Sequence, residues 1–251
     1  MTVFDSWRSF WMFSREVTRE RRYIRTSEAE NFLAAVAATC GVRARDIRAG
    51  WMGWRAQLGH DWRHEQQIDD ELPSAFGPAR MKPLADRAQE GRVNPKGIPC
   101  LYLATTLETA ISEVRPWIGS FVSVGQFRTI RPLRIVDCSV HHARKLLFLE
   151  EPSETDREQA VWAHIDKAFS EPMTRSDDTA EYVATQILAE LFRREGYDGV
   201  AYKSAFGERG FNIALFDLEA AELLNCGLYK VDTLNYRFSE ADNPYFVTKA
   251  K

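Results

Sequence analysis

The stretch Ile98-Pro99-Cys100-Leu101-Tyr102-Leu103-Ala104-Thr105-Thr106-Leu107-Glu108-Thr109-Ala110-Ile111-Ser112-Glu113-Val114-Arg115-Pro116 holds a strand and a helix back to back. Ile98–Ala104 is a short, apolar, strand-forming run. Thr105 is the predicted helix cap, with Glu108 three residues on as a capping box. Leu107, Ala110, Ile111 and Val114 then fall on one helical stripe, and Pro116 stops it. Outward from there, Phe121–Phe127 and Leu133–Val136 read as strands meeting near Pro132. Residues 47–57 read as one strand. Gly199–Ser204 and Phe211–Phe216 read as two more, separated by the Gly-bearing loop 205–210.

Besides the helix ending at Pro116, helices are expected in three regions. Residues 1–40 carry Phe4, Trp7, Trp11 and Phe13, then Phe32, Leu33 and Val36 at helical spacing. Residues 150–170 form a charged helix. A helix capped by Asp178 and Glu181 runs to Arg194, burying Val183, Ile187 and Leu191, with Gly196 as its stop. Residues 58–97 show no period and are dense in Pro and Gly, with room for a short helix. Loops of that length are often functional. Beyond residue 219 the pattern is mixed. The fold class is α+β, with short strands predominating in the second half.

The chain has 251 residues, 45% apolar and 27% charged, which excludes global disorder. Its 33 basic and 36 acidic residues give a net charge of −3, which argues against a bulk nucleic-acid binder but leaves room for a local basic pocket. Cys40, Cys100, Cys138 and Cys226 lack metal or redox spacing and read as reduced fillers of a cytoplasmic protein. No apolar run approaches the roughly 18 residues of a membrane helix. Walker, dinucleotide-glycine and nucleophile-elbow motifs are missing. His60 and His64 have zinc-compatible spacing but no third ligand, and His141–His142 points to opposite faces, so no metal is expected.

One ordered set of segments stands out. Gly91-Arg92-Val93-Asn94-Pro95-Lys96-Gly97 leads into Leu101-Tyr102-Leu103-Ala104, then Glu113-Val114-Arg115-Pro116. Later come Tyr182-Val183-Ala184-Thr185-Gln186, Gly199-Val200-Ala201-Tyr202-Lys203-Ser204 and Asn212-Ile213-Ala214-Leu215-Phe216. Over about residues 47–218 the chain resembles the RES-domain family, named for an arginine, a glutamate and a serine. The helical pattern at the N-terminus lies outside the resemblance and reads as a helical extension at 1–45. The resemblance implies a RES domain at 46–251, with an ADP-ribosyltransferase-like sheet flanked by helices. It implies the toxin of a bacterial toxin–antitoxin pair that consumes NAD by hydrolysis or phosphorolysis. NAD is then a substrate, inorganic phosphate a second one where phosphorolysis is the route, and no cofactor is needed. The implied partner is an Xre-like antitoxin with a helix-turn-helix part, bound to a toxin homodimer. By position the family's arginine falls on Arg92, its tyrosine on Tyr102, its glutamate on Glu113 and its serine on Ser204, with a first-strand arginine at Arg55. Ala205 stands where the family has a second small hydroxyl residue.

The residue types suit such chemistry and also have plainer readings. Guanidinium forks at Arg92 and Arg55 would grip a pyrophosphate, or form surface ion pairs. Breaking the nicotinamide–ribose bond builds positive charge on the sugar, which a carboxylate at Glu113 would stabilise. Alternatively Glu113 pairs with Arg115. Glu108 is the rival acid, already explained as a cap. Tyr102 either stacks on the ligand or fills the core as a half-buried strand aromatic. Ser204 either contacts the ligand or caps its turn. Asn212 is a candidate substrate contact, with Tyr182 and Gln186 behind it. Nicotinamide leaves neutral, so neither a general acid nor a metal is required. Two alternatives use the same chain differently: a protein ADP-ribosyltransferase at the same NAD site, and a non-catalytic module docking through the aromatic N-terminus. Direct DNA binding is not expected.

Overall fold

The computed structural model describes residues 3–67, 69–84, 87–142, 144, 146, 148–172, 179–206 and 209–235. Two helices open the chain, α1 (Ser9–Arg19) and α2 (Ser27–Thr39). A 3-10 turn (Cys40–Arg43) leads to β1 (Ala44–Ile47), β2 (Met52–Leu58), β3 (Asp61–Glu65), β4 (Asp70–Ser74), the single-turn α3 (Pro78–Met81) and β5 (Leu101–Ala104). Then come α4 (Leu107–Glu113), β6 (Phe121–Thr129), β7 (Leu133–Asp137), α5 (Glu154–Ser170), α6 (Val183–Arg194), β8 (Gly199–Lys203), β9 (Phe211–Leu215) and β10 (Ala221–Lys230).

Eight strands form one sheet in the order β1-β7-β8-β9-β5-β2-β6-β10, and β3 pairs β4 as a separate hairpin. Only the β7–β8 pair is parallel among the described pairs. β2 meets β5 at a single residue pair, Trp54 with Ala104. The α+β class is as the sequence predicts. The single strand expected over 47–57 is two strands, broken where Gly50 takes φ of +81°. The long aperiodic segment contains the β3–β4 hairpin and α3. The mixed C-terminal region contains β10, paired along β6 with a bulge between Leu223 and Asn225.

Period-two alternation gives the sheet two apolar faces. On one, Val136, Val200, Tyr202 and Ala214 meet Trp162, Phe169 and Phe192 of α5 and α6. Phe10, Phe13, Phe32 and Val36 of α1 and α2 complete that cluster. On the other face Leu101, Leu103, Phe127, Ile135, Ile213 and Leu215 pack with Phe76 and Met81 of the long loop. The boundary expected after residue 45 therefore falls inside β1, and the N-terminal helices share a core with the rest. Trp162 ties them together. Its indole N–H donates to Thr39 Oγ1 (3.1 Å), and the Arg43 guanidinium lies 4.4 Å over its ring.

Helix ends follow local chemistry. Thr26 caps α2 by accepting from Ala29 N. α4 is capped by Thr106, not Thr105: Thr105 lies just past β5, where its N–H donates to Phe211 O and its hydroxyl accepts from Phe211 N. Asp178 lies outside the described residues, and α6 follows a 3-10 turn at Thr179–Tyr182. Gly196, at φ of +86°, ends it as expected. No described helix is long and apolar enough to cross a membrane. Cys40, Cys100 and Cys138 are buried free thiols, and burial pushes Cys100 up to about 11.

Phe32 stacks on Phe13 at 4.6 Å inside the shared cluster. Phe32→Ala is expected to cost about 3–5 kcal/mol and to shift a single denaturant transition of the whole chain. A separate early transition for the N-terminal helices would show that they are an independent unit.

Candidate active site

Three neighbouring strands set the site. Tyr202 of β8 stands opposite Asn212 of β9, and Asn212 opposite Ala104 of β5, so all three share a face. β5 runs straight into α4, whose last residue is Glu113. The macrodipole disfavours a carboxylate there by about 0.3–1 kcal/mol. Two donors offset that. Ser204 Oγ donates to Glu113 Oε1 at 2.6 Å, and Asn212 Nδ2 donates to the same oxygen at 2.5 Å. Oε2 accepts no hydrogen bond among the described residues. Ser204 is buried just beyond β8 and is itself fixed: its N–H reaches Gly210 O, and its Oγ accepts from Phe206 N at 3.0 Å. It both caps its turn and holds Glu113.

Arg92 arrives on a turn. Gly91 N donates to Asn94 O at 2.9 Å. Tyr102 Oη accepts from Val93 N (3.0 Å) and donates to Asn94 Oδ1 (2.7 Å). Gln186 Nε2 of α6 reaches both Gly91 O (2.9 Å) and Asn94 O (3.1 Å). A Cβ at residue 91 would sit 2.7 Å from Tyr102 Oη, so the close approach needs glycine. The Arg92 guanidinium donates to Ala168 O at 2.9 Å and to Glu171 O, at the C-terminal end of α5. It also lies 5.6 Å over the Tyr182 ring.

Arg92, Glu113, Arg115, Tyr182, Tyr202 and Asn212 line a cavity of about 250 Å³. Burial, and next the Glu113 charge, hold the Tyr202 phenol well above its usual range, so it is a neutral hydroxyl at physiological pH. Arg115 adopts φ of +47° directly after the helix, which turns the chain away and leaves its guanidinium 5.6 Å over Phe206. It makes no ion pair with Glu113 among those described. Glu108 is exposed in the first turn of α4. No group of three or more metal-ligating side chains occurs among the described residues.

Thus the structure brings Arg92, Glu113, Ser204 and Asn212 together. Tyr102 lies behind them, holding the Arg92 turn. Arg55 is elsewhere, in a cavity of about 530 Å³ with Gln57, Arg80, Lys82, Arg87 and Tyr102. Its Nη1 reaches Tyr102 O at 3.5 Å, and burial lowers its pKa. Sequence reasoning missed Tyr202. Its place two residues before Ser204 on one strand was the available signal, because period two puts both on one face.

The fold is α+β, and at its site a carboxylate clamped by serine and asparagine shares a small cavity with an arginine. The chain belongs to the RES domain family, whose model matches residues 52–239. Among solved structures it is similar to the crystal structure of the M. tuberculosis MbcT–MbcA toxin–antitoxin complex. Identity there is 16%, with 78% of this chain and 92% of that chain covered and a TM-score of 0.40. No curated protein matches the chain.

Tyr102→Phe leaves the Val93 N–H without its acceptor and Asn94 Oδ1 without its donor. Expected is a loss of about 1–3 kcal/mol in denaturant unfolding. An unchanged midpoint would remove the hydroxyl from the role of loop anchor.

Proposed function

We propose that the protein is the toxin of a toxin–antitoxin pair and cleaves the nicotinamide–ribose bond of NAD. One observation carries this: within a RES domain, the Glu113 carboxylate is fixed by Ser204 and Asn212 in a cavity it shares with Arg92. As the C1′–N bond breaks, its electron pair passes to the pyridinium ring and nicotinamide leaves neutral. Positive charge grows on the ribose. Glu113, held in advance, stabilises that charge without reorganising. Arg92 supplies positive charge to the pyrophosphate. Tyr202, kept protonated, offers a hydroxyl to the sugar or the carboxamide. Attack at C1′ by water gives ADP-ribose, and attack by inorganic phosphate gives a phosphorylated ADP-ribose.

In the same proposal NAD is substrate and not cofactor. The toxin works in the cytoplasm, pairs with itself, and is silenced by an Xre-like antitoxin that covers the site. Family membership supports these points.

Purified protein incubated with NAD, with and without phosphate, tests the chemistry. Nicotinamide with ADP-ribose means hydrolysis. A phosphorylated ADP-ribose seen only with phosphate means phosphorolysis. Label on an added protein means a transferase. Glu113→Gln is expected to lower kcat by about a hundredfold or more with the fold's thermal transition kept. Full turnover in that variant would take Glu113 out of the chemistry.

A further inference from the structure

A groove of about 530 Å³ runs beside the catalytic cavity. α1 supplies Trp11, Arg15 and Arg19 to it, α5 supplies Lys167, and Arg92 and Tyr182 are common to groove and cavity. The Arg55 cavity, by contrast, shares no lining residue with the catalytic one. Another cavity, which shares Ser170, Pro172 and Ala205 with the catalytic one, is also walled by Trp11, so both described continuations of the cavity lead toward α1.

Trp11 is fixed and still open. Its ring lies 4.3 Å from the His164 imidazole at 33°, and Trp7 meets it edge-on at 5.2 Å. Burial lowers the pKa of His164, which keeps that neighbour uncharged. Trp11 nevertheless retains 47% of its exposure. An indole held in place on one side binds a planar ring at little entropic cost. Around it, Arg15, Arg19, Lys167 and Arg92 outnumber the groove's carboxylates, Glu171 and Glu181. Lys167 and Glu171 offset each other at 3.4 Å, and Arg15 is paired with Glu20 at 3.5 Å, which leaves Arg19 and Arg92 against Glu181, a small positive excess in the groove. An aromatic plane with an excess of cations is the chemistry that takes a base and its phosphates. These α1 residues lie outside the family match at 52–239.

We propose that α1 forms the adenosine subsite of the dinucleotide: Trp11 stacks on the adenine ring, and Arg15 and Arg19 lie along the pyrophosphate. The inference rests on the NAD-cleaving proposal above and names how its substrate is gripped.

Nicotinamide release is measured from NAD and from nicotinamide mononucleotide, which lacks the adenosine half, using full-length wild type, Trp11→Ala and Trp11→Phe. Expected for Trp11→Ala is a rise of about tenfold in KM for NAD, with kcat kept and the mononucleotide handled as by wild type. Trp11→Phe recovers most of the loss. An unchanged KM for NAD, or an equal rise with both substrates, overturns the subsite. If wild type leaves either substrate intact, titration with ADP-ribose and ribose 5-phosphate decides. Weakening of about tenfold for ADP-ribose alone in Trp11→Ala supports the subsite. Equal effects on both ligands, or no ADP-ribose binding at all, overturn it. Intact NAD sinks the NAD-cleaving proposal by itself, separately from either result.

Discussion

A carboxylate at the end of a helix stands where the helix least wants it, and Glu113 is kept there by two hydrogen bonds to one oxygen. Both donors come from strand ends. Ser204 follows β8, and Asn212 sits in β9, which pairs with both β8 and β5. The clamp therefore exists only if β5, β9 and β8 keep their order and register. A slip of one residue would turn Asn212 to the opposite face and put Ile213 in its place. The apolar packing on both faces, with Ile213 and Leu215 on one and Ala214 on the other, makes that slip costly.

A second set of bonds positions Arg92. The Tyr102 hydroxyl, the Asn94 side chain and the Gln186 amide hold its turn between β5 and α6, and the α5 carbonyls take its guanidinium. Polar groups that read as ligand contacts in the sequence thus act largely as scaffolding. Buried polar groups must be satisfied, and here satisfying them also sets the site. The cavity around Glu113 is small, and the groove walled by α1 shares Arg92 and Tyr182 with it. The helical extension that looks peripheral along the chain is packed into the core and reaches the site.

Sequence pattern revealed the strand–helix unit at 98–116 because apolar period, cap and proline agree there. The cap falls one residue later than the pattern predicts because the Thr105 hydroxyl is taken by the Phe211 N–H, a contact made across the fold that local chemistry alone does not show. β3 and β4 were illegible since both of their faces are largely exposed, so no apolar period appears. β10 was obscured by its bulge, which resets the alternation. Arg92, Glu113, Ser204 and Asn212 were named through motifs, whereas their meeting depends on strand order. Arg55 was grouped with them, yet it follows Trp54, the one residue of β2 paired with β5, and so alternates away from the face bearing Asn212. Trp11 reads in the sequence as one of an apolar helical set or part of an aromatic docking surface, because its cavity is made by tertiary packing.

The central claim is that Ser204 and Asn212 work through Glu113 as one unit. A double-mutant cycle in nicotinamide release from NAD tests it most directly, using Ser204→Ala, Glu113→Gln and the pair. Groups that act as a unit give strongly non-additive losses. Expected is that Ser204→Ala slows the wild-type protein and adds almost nothing once Glu113 is replaced. Independent, additive losses would contradict the clamp, and a wild-type protein that releases no nicotinamide would contradict the NAD-cleaving chemistry it is proposed to serve.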